Sequence, residues 1–181
     1  MKILFFSDIH GITNNLNIID KKIKEENIDL LVCLGDLYES YSRREDIIIN
    51  PLEVSRFLNN HKDILTCMKG NCDTSYDIGI SKFNIYSGIK EINVDGLNIF
   101  VTHGNIYNMY NDSIIKEGDI LVFGHEHFPY IEKKEGKIFI NVGSISLPRH
   151  NSNPSFAIYN NKEITIYDIY DNIVDSIKIG S

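Results

Sequence analysis

Five short polar motifs each follow a run of apolar residues, and this repetition constrains the fold more than any other feature of the chain. The motifs are DIH (8–10), GD (35–36), GN (70–71), THG (102–104) and GHEH (124–127). Each apolar run is typical of a buried strand, so the motifs are predicted to lie where strands end and loops begin. The sequence therefore predicts a site assembled from several strand ends.

The residue types in these motifs are those that bind metal ions. Carboxylate, imidazole and carboxamide groups together form the ligand mixture expected for Mn, Fe, Zn or Ni. Alternate residues of a strand end project to the same side, so Asp-x-His and His-x-His are each predicted to share one site. A single GD or a single histidine is more often structural, and it is the recurrence at five strand ends that favours a metal centre.

The first half of the chain alternates between predicted strands and predicted helices. Strands are predicted over residues 2–7, 28–34 and 63–69. Helices are predicted over residues 13–27, with Thr13 or Asn14 as the cap, and from Pro51 onward. This order predicts parallel strand pairing with crossover helices.

The second half is rich in strands. The DG at 95–96 and the KKEG at 133–136 predict hairpin turns, and NNKE at 160–163 predicts another. A short helix is predicted within residues 105–118. We therefore expect an α/β fold of two mixed sheets packed face to face, with helices outside, in a single domain covering residues 1–181.

Composition excludes several classes of protein. The formal net charge is −7, which argues against gripping a nucleic-acid polymer. The apolar runs are too short to cross a membrane, and the N-terminus does not read as a signal peptide, so a cytoplasmic location is expected. The three cysteines predict no disulfide framework, with Cys33 and Cys67 in the core.

The motif set resembles that of the calcineurin-like metallophosphoesterases, whose pattern is D-x-H, G-D, G-N-[H/C], a later H and G-H-x-H. Within this superfamily the chain is most similar to the small bacterial and archaeal phosphodiesterases of the YfcE type. The resemblance runs from Met1 through NVGS at 141–144.

The resemblance implies a four-layer α/β/β/α sandwich with a binuclear centre. By the family pattern, one divalent metal ion would be held by Asp8, His10 and His127, the other by Asn71, His103 and His125, and Asp36 would bridge them. Mn²⁺ is the expected metal, with Ni²⁺, Fe, Zn²⁺ and Mg²⁺ left open. The implied reaction is in-line attack of a metal-bridging hydroxide on a small phosphoester.

Asp36, Asn71 and Cys72 are the candidate catalytic residues. Many relatives have a histidine at the position of Cys72, and a thiol is a weaker donor there. Two interpretations of Cys72 stay open: it takes part in the reaction, which would favour good leaving groups or a slower enzyme, or it only packs beside the ligand loop. Arg43 and Arg44 follow the GD motif and are candidates to reach a phosphate, although a solvated loop is the favoured interpretation.

Alternative functions stay within this fold. A phosphomonoesterase would use the same centre, and a scaffold protein resembling a retromer subunit would not need it. All seven pattern ligands are present, which argues against the scaffold. A nuclease would favour a basic groove, and a serine or threonine protein phosphatase would be longer. A homodimer or homotetramer is expected from apolar strands in the second half.

Overall fold

The computed structural model describes residues 1–39 and 47–180, without the side chains of residues 76 and 77. Twelve strands form two mixed sheets in this part of the chain. The strands of the first sheet are β1 (Ile3–Phe6), β2 (Leu30–Cys33), β3 (Leu65–Met68), β4 (Ile85–Tyr86), β10 (Ser155–Asn160), β11 (Glu163–Asp168) and β12 (Ile173–Lys178). Those of the second are β5 (Ile89–Val94), β6 (Leu97–Thr102), β7 (Ile120–Phe123), β8 (Pro129–Lys134) and β9 (Lys137–Val142). Arg43 and Arg44 lie outside the described residues.

Parallel pairing occurs where the sequence predicts it. The first sheet has the order β12-β11-β10-β1-β2-β3-β4, and β1 to β4 run parallel. The second has the order β5-β6-β7-β9-β8, with β6, β7 and β9 parallel. The chain returns to pair β10 with β1, so its last strands complete the first sheet.

The main core lies between the two sheets. Phe5 and Val32 of the first sheet are fully buried in one cluster with Val101, Val122 and Ile140 of the second. These residues come from the centres of both sheets, and burying such aliphatic and aromatic side chains is the main driving force for folding. The two mixed sheets packed face to face are therefore confirmed.

Helices cover the other face of the first sheet. They are α1 (Leu16–Glu25), α2 (Pro51–Asn60) and the short α3 (Ser75–Gly79). Ile19 of α1 and Leu58 of α2 are fully buried in the cluster that contains Leu4 and Cys33. Pro51 begins α2 as predicted, and the Asn50 side chain accepts from the Glu53 amide. The predicted cap of α1 is wrong, because Asn15 occupies the N-cap position. Its side chain does not cap the helix, and its Nδ2 donates to Ile145 O.

The outer face of the second sheet is covered by a loop. Ile115 packs on Phe123 and Phe139, but residues 105–118 contain no helix, so the short helix predicted there is wrong. The Asn108 side chain explains this difference. Its Oδ1 accepts from the amides of Tyr110 and Asn111, and its Nδ2 donates to Gly104 O, which are local hydrogen bonds that compete with a helix.

Three predicted turns are present. Asp95 and Gly96 connect β5 to β6, Glu135 and Gly136 connect β8 to β9, and residues 161–162 connect β10 to β11. All these residues have the left-handed backbone that tight hairpins require. None of the helices among the described residues is long and apolar enough to span a membrane.

Candidate metal centre

The seven predicted ligands meet at one edge of the sandwich. They follow β1, β2 and β3 of the first sheet and β6 and β7 of the second, and these strands are parallel within each sheet. The carboxyl ends of parallel strands lie at the same edge, which is where open α/β sheets place their ligands. The two sheets present these edges side by side, so the motifs converge.

The local cause of the convergence is a left-handed backbone rather than strand alternation. Asp8, His10, Asp36, His125 and His127 have φ values of 57°, 51°, 54°, 66° and 60°. These residues lie beyond the last residue of their strands. Aspartate and histidine are among the non-glycine residues that best tolerate this region, and such strain clusters at functional sites.

Strand alternation predicts the grouping of Asp8 with His10 but not the separation of His125 from His127, which the resemblance to the family implies. Asp8 and His10 fall in one group of neighbouring ligand atoms, together with His127. His125 belongs to a second group, with Asp36 and His103. His125 and His127 thus point to different parts of the centre, because the loop backbone and not a strand pleat sets their directions.

Three histidines are held through Nδ1, so that their Nε2 atoms face the centre. Nδ1 of His103 lies 2.9 Å from Leu34 O, Nδ1 of His127 lies 2.7 Å from Leu147 O, and Nδ1 of His10 lies 3.0 Å from Glu39 Oε2. Carbonyl and carboxylate oxygens only accept hydrogen bonds, so each Nδ1 carries the proton. In the neutral imidazole, each Nε2 then presents a lone pair to the centre.

The Nε2 atoms of His10 and His127 face each other beside the Asp8 carboxylate. His127 Nε2 lies 3.2 Å from both Asp8 Oδ1 and His10 Nε2. Asp8 Oδ1 is buried, and it has no hydrogen-bond partner among the described residues. An unsatisfied carboxylate oxygen in the interior is costly, so its surroundings call for a cation.

In the second group, Nε2 of His103 likewise faces a carboxylate oxygen and also an amide oxygen. His103 Nε2 lies 3.3 Å from Asp36 Oδ2 and 3.0 Å from Asn71 Oδ1. The Asn71 amide nitrogen donates to Cys72 Sγ over 3.3 Å, which leaves its oxygen toward His103. Asp36 Oδ2 also lies 3.7 Å from His10 Nε2, so this carboxylate stands between the two groups.

The residues present therefore fit divalent metal ions. Carboxylate and amide oxygen atoms converge with imidazole nitrogen atoms, and the ligand atoms of each group in turn lie within 4.8 Å of one another. Hydrogen bonds from Nδ1 to carbonyl or carboxylate groups are the usual way in which a protein orients histidine ligands.

The electrostatics of the centre favour positive charge. Burial alone lowers the pKa of His10 and His103, but the neighbouring Asp8 and Asp36 carboxylates outweigh burial and raise both pKa values. Burial raises the pKa of Asp8, yet its contacts with His10 and His127 hold that pKa well below the ordinary range. Protons and metal ions compete for such a site, and a metal ion needs the deprotonated ligands.

The GNCD segment organises the Asp36 loop through a residue that the sequence analysis missed. The Asp73 carboxylate accepts from the amides of Asp36, Leu37 and Gly70, over 3.0, 2.7 and 2.8 Å. It thereby ties the GD and GN loops together. A carboxylate two residues after the GN motif was the available signal, but its partners Asp36 and Leu37 are far away in the sequence.

Cys72 contributes to the site through its main chain. Its amide donates to Asp36 Oδ1 over 2.8 Å. Burial and then the Asp36 charge raise the pKa of its thiol to about 12, which favours the neutral thiol. The Sγ atom nevertheless forms a third group of neighbouring ligand atoms with His10 and Asp36.

Other supporting residues come from the NVGS segment. Asn141 Nδ2 donates to Gly124 O over 2.7 Å, and Ser144 Oγ donates to Asp8 O over 2.8 Å. Both side chains are fully buried. They fix the loops after β7 and β1, and sequence reasoning used this segment only to mark the extent of the resemblance.

Comparison with known proteins places the chain in a family. Residues 1–163 match the calcineurin-like phosphoesterase superfamily domain. The chain is 28% identical to phosphodiesterase YfcE of Escherichia coli (strain K12) over 173 residues, 94% of each chain. It is 30% identical over 165 residues to the probable metallophosphoesterase YsnB of Bacillus subtilis (strain 168), covering 87% of this chain and 83% of that protein. The chain belongs to the calcineurin-like phosphoesterase superfamily.

A solved structure supports the same assignment. The structure described as YfcE, a phosphoesterase from E. coli, matches with a TM-score of 0.93 at 26% identity and covers 99% of this chain and 100% of that chain. The α/β fold of two mixed sheets predicted from the sequence is confirmed as a metallophosphoesterase-type fold, with a loop in place of the outer helical layer on the second sheet among the described residues. Family and fold together make the chain a phosphoesterase that uses divalent metal ions.

Proposed function

We propose that the chain is a phosphodiesterase that hydrolyses small phosphoesters at a binuclear metal centre. The observation that carries this proposal is the convergence of three Nε2 atoms, oriented by their Nδ1 contacts, on carboxylate and amide oxygens. The proposed metal ligands are the seven residues of the sequence motifs, namely Asp8, His10, Asp36, Asn71, His103, His125 and His127.

The two groups of ligand atoms support a division between two ions. Asp8, His10 and His127 form one group, and Asp36, His103 and His125 form the other, with Asn71 beside His103. Asp36 is the proposed bridge, because its Oδ2 lies within 3.7 Å of His10 and 3.3 Å of His103. Mn²⁺ is the proposed metal, since oxygen and imidazole ligands suit it.

Each candidate catalytic residue has a distinct task. Divalent ions bound at the centre supply Lewis-acid activation of water and charge stabilisation on the phosphoryl group. Asp36 fixes the spacing of the two ligand groups, and Asn71 offers its amide oxygen from an exposed position beside the cleft. The Cys72 amide orients Asp36, and its neutral thiol is a weak donor for a leaving oxygen.

Hydrolysis of bis-(p-nitrophenyl) phosphate beside p-nitrophenyl phosphate tests the proposal. The protein is stripped of metal and assayed with and without Mn²⁺. We expect Mn²⁺-dependent cleavage of the diester that exceeds cleavage of the monoester. Asp36→Asn serves as the control, because asparagine tolerates the left-handed backbone at this position while removing the charge.

The other outcomes have definite meanings. Faster cleavage of the monoester would make the chain a phosphomonoesterase. Equal activity of the Asp36→Asn variant would remove the proposed bridge. No turnover of either ester by folded, metal-loaded protein would overturn the broad phosphodiesterase and favour a scaffold role.

Three further points belong to the proposal. Residues 1–181 form a single domain, since β10 to β12 complete the sheet that begins with β1. The chain forms a homodimer or homotetramer, supported by the exposed Ile173 and Val174 on the edge strand β12 and testable by light scattering. The cytoplasmic location expected from the sequence stays a prediction.

A further inference from the structure

A cleft of about 260 Å³ opens beside the candidate metal centre, and its lining is asymmetric. His10, His125 and His127 lie on the side of the centre. The remaining wall is largely apolar and is formed by Ile12, Ile47, Ile49 and Leu147, with Arg149 beside them. The volume exceeds what one phosphate group fills, so the cleft has room for an organic group attached to it.

The apolar wall is built by defined contacts. The Asn50 amide donates to Gly11 O over 2.7 Å, which holds the segment with Ile49 against the loop after β1. The Leu147 amide donates to Ser144 Oγ over 2.8 Å. The Ser144 hydroxyl in turn donates to Asp8 O over 2.8 Å. Both segments are thus anchored to the loop after β1, which carries Asp8 and His10, and the wall keeps a fixed relation to the centre.

The main chain of the exposed Arg149 is held beside a proposed metal ligand. Its amide donates to His127 O over 2.9 Å, and two residues earlier Leu147 O accepts from His127 Nδ1. His127 is therefore held on both sides by the segment that ends in Arg149. Among the described residues, no carboxylate forms an ion pair with the Arg149 side chain, whereas Glu39 in the same cleft is already paired with His10.

We propose that this cleft binds a phosphodiester that carries an apolar ring and a second anionic group. The ring would pack on the apolar wall, and the anionic group would bind Arg149. The proposal rests on the proposed function, because the scissile phosphate occupies the metal centre. A diester has one negative charge, which the metal ions balance. Arg149 pairs with none of the described carboxylates, and an arginine can offer two parallel hydrogen bonds to a second phosphate or carboxylate.

Binding measurements with three ligands separate the two parts of the cleft. Inorganic phosphate, thymidine 5′-phosphate and thymidine 3′,5′-bisphosphate add first a ring with its sugar and then a second phosphate. Calorimetric titration of the Mn²⁺-loaded protein should give tighter binding at each step. We expect about a tenfold gain for the second phosphate, the size of one good charged hydrogen-bond pair.

Variants assign each gain to its residues. Arg149→Gln should abolish the gain from the second phosphate and leave thymidine 5′-phosphate binding unchanged, while Arg149→Lys should keep part of it. Ile49→Thr and Ile47→Thr should reduce the gain from the ring but not the binding of inorganic phosphate. Arg56→Gln is the matched control, since this exposed arginine on α2 lies outside the cleft.

The results distinguish this inference from the proposed function. Equal binding of the two nucleotides by wild-type protein, or equal losses in Arg149→Gln and Arg56→Gln, would overturn the assignment of Arg149. These outcomes do not depend on turnover. If both binding gains appear but bis-(p-nitrophenyl) phosphate is not cleaved, the cleft assignment stands and the phosphodiesterase proposal fails.

Discussion

The main-chain amide of Cys72 donates to Oδ1 of Asp36 over 2.8 Å, and this leaves Oδ2 of Asp36 facing His103 at 3.3 Å. The cysteine thus orients the proposed bridging carboxylate without using its thiol. The contact also explains why a residue of different chemistry can follow the ligand asparagine, since every residue except proline supplies the same amide.

Replacement of the Cys72 thiol tests this main-chain role. Cys72→Ala keeps the amide, so we expect unchanged Mn²⁺ affinity by calorimetry and retained folding. Cys72→His should increase turnover of esters with poor leaving groups, because an imidazolium is a stronger acid and donor than a thiol.

A Co²⁺ spectrum is the measurement that would contradict the main-chain role of Cys72. The group formed by Cys72, His10 and Asp36 would bind Co²⁺ through sulfur if the thiol were a ligand. A thiolate-to-cobalt charge-transfer band in the wild type that is missing in Cys72→Ala, together with weaker metal binding, would show that the thiol is a ligand and refute the main-chain role alone.

Glu39 is predicted to orient a metal ligand. Its Oε2 lies 3.0 Å from His10 Nδ1. Glu39→Ala should weaken metal binding about 10- to 100-fold, the range typical for loss of a partner that orients a histidine ligand. Glu39→Gln retains an acceptor and should lose much less, as measured by metal titration. Equal effects of the two substitutions would point to charge rather than orientation.

Gly124 is predicted to accept no side chain. A Cβ atom there would lie against Ser7 Oγ and 2.5 Å from Asp8 Oδ2. Gly124→Ala should therefore destabilise the fold by about 1–3 kcal/mol in urea unfolding and weaken metal binding, because overpacking displaces its neighbours. Gly79→Ala is the matched control, since no heavy atom lies within 4 Å of its Cβ position. A stable Gly124→Ala variant with normal metal affinity would contradict the packing described for this loop.

Asp168 is predicted to stabilise the fold in a pH-dependent way. Its buried carboxylate accepts from the side chains of Asn153 and Asn172 and from the amides of Tyr170 and Asn172. Burial raises its pKa, but these hydrogen bonds prevail and lower it below the ordinary 3.8. Asp168→Asn should cost about 1–3 kcal/mol of unfolding free energy at neutral pH.

The sign of the pH effect follows from the lowered pKa. The contribution of Asp168 is fully present above the pKa of the unfolded chain and is lost as the pH falls through the lower folded pKa. The difference between wild type and Asp168→Asn should therefore shrink below about pH 4, as measured by urea unfolding across pH. Asp63→Asn, at an exposed position, is the control. A constant difference across this range would refute the ionic contribution.

The sequence was sufficient for the parts of the fold that depend on local patterns. Apolar runs and turn residues predicted β1, β2, β3 and the hairpin at Asp95 and Gly96, because burial and turn geometry act over a few residues. The loop at 105–118 was mispredicted, since the Asn108 side chain satisfies nearby backbone groups in place of a helix.

Prediction of the site from the sequence was likewise limited to what local patterns determine. The motifs predicted which ligands would come together, but not the left-handed backbone that aims them or the carbonyls that fix the histidine rings. Asp73, Glu39 and Arg149 were not assigned roles, because each acts on partners that only the fold brings near. Hydrogen bonds such as the one from His127 Nδ1 to Leu147 O join residues 20 positions apart, so they leave no local pattern in the sequence.

The left-handed φ values at Asp8, His10, Asp36, His125 and His127 determine how this centre can be probed by mutagenesis. Alanine at these positions removes a ligand and also forces an unfavourable backbone, so a loss of activity would mix two effects. Asparagine removes charge or imidazole while tolerating the same φ. An asparagine scan therefore exchanges a carboxylate or imidazole for an amide of the kind that Asn71 offers without adding backbone strain, and the difference between the alanine and asparagine scans contains the conformational energy stored in the loops.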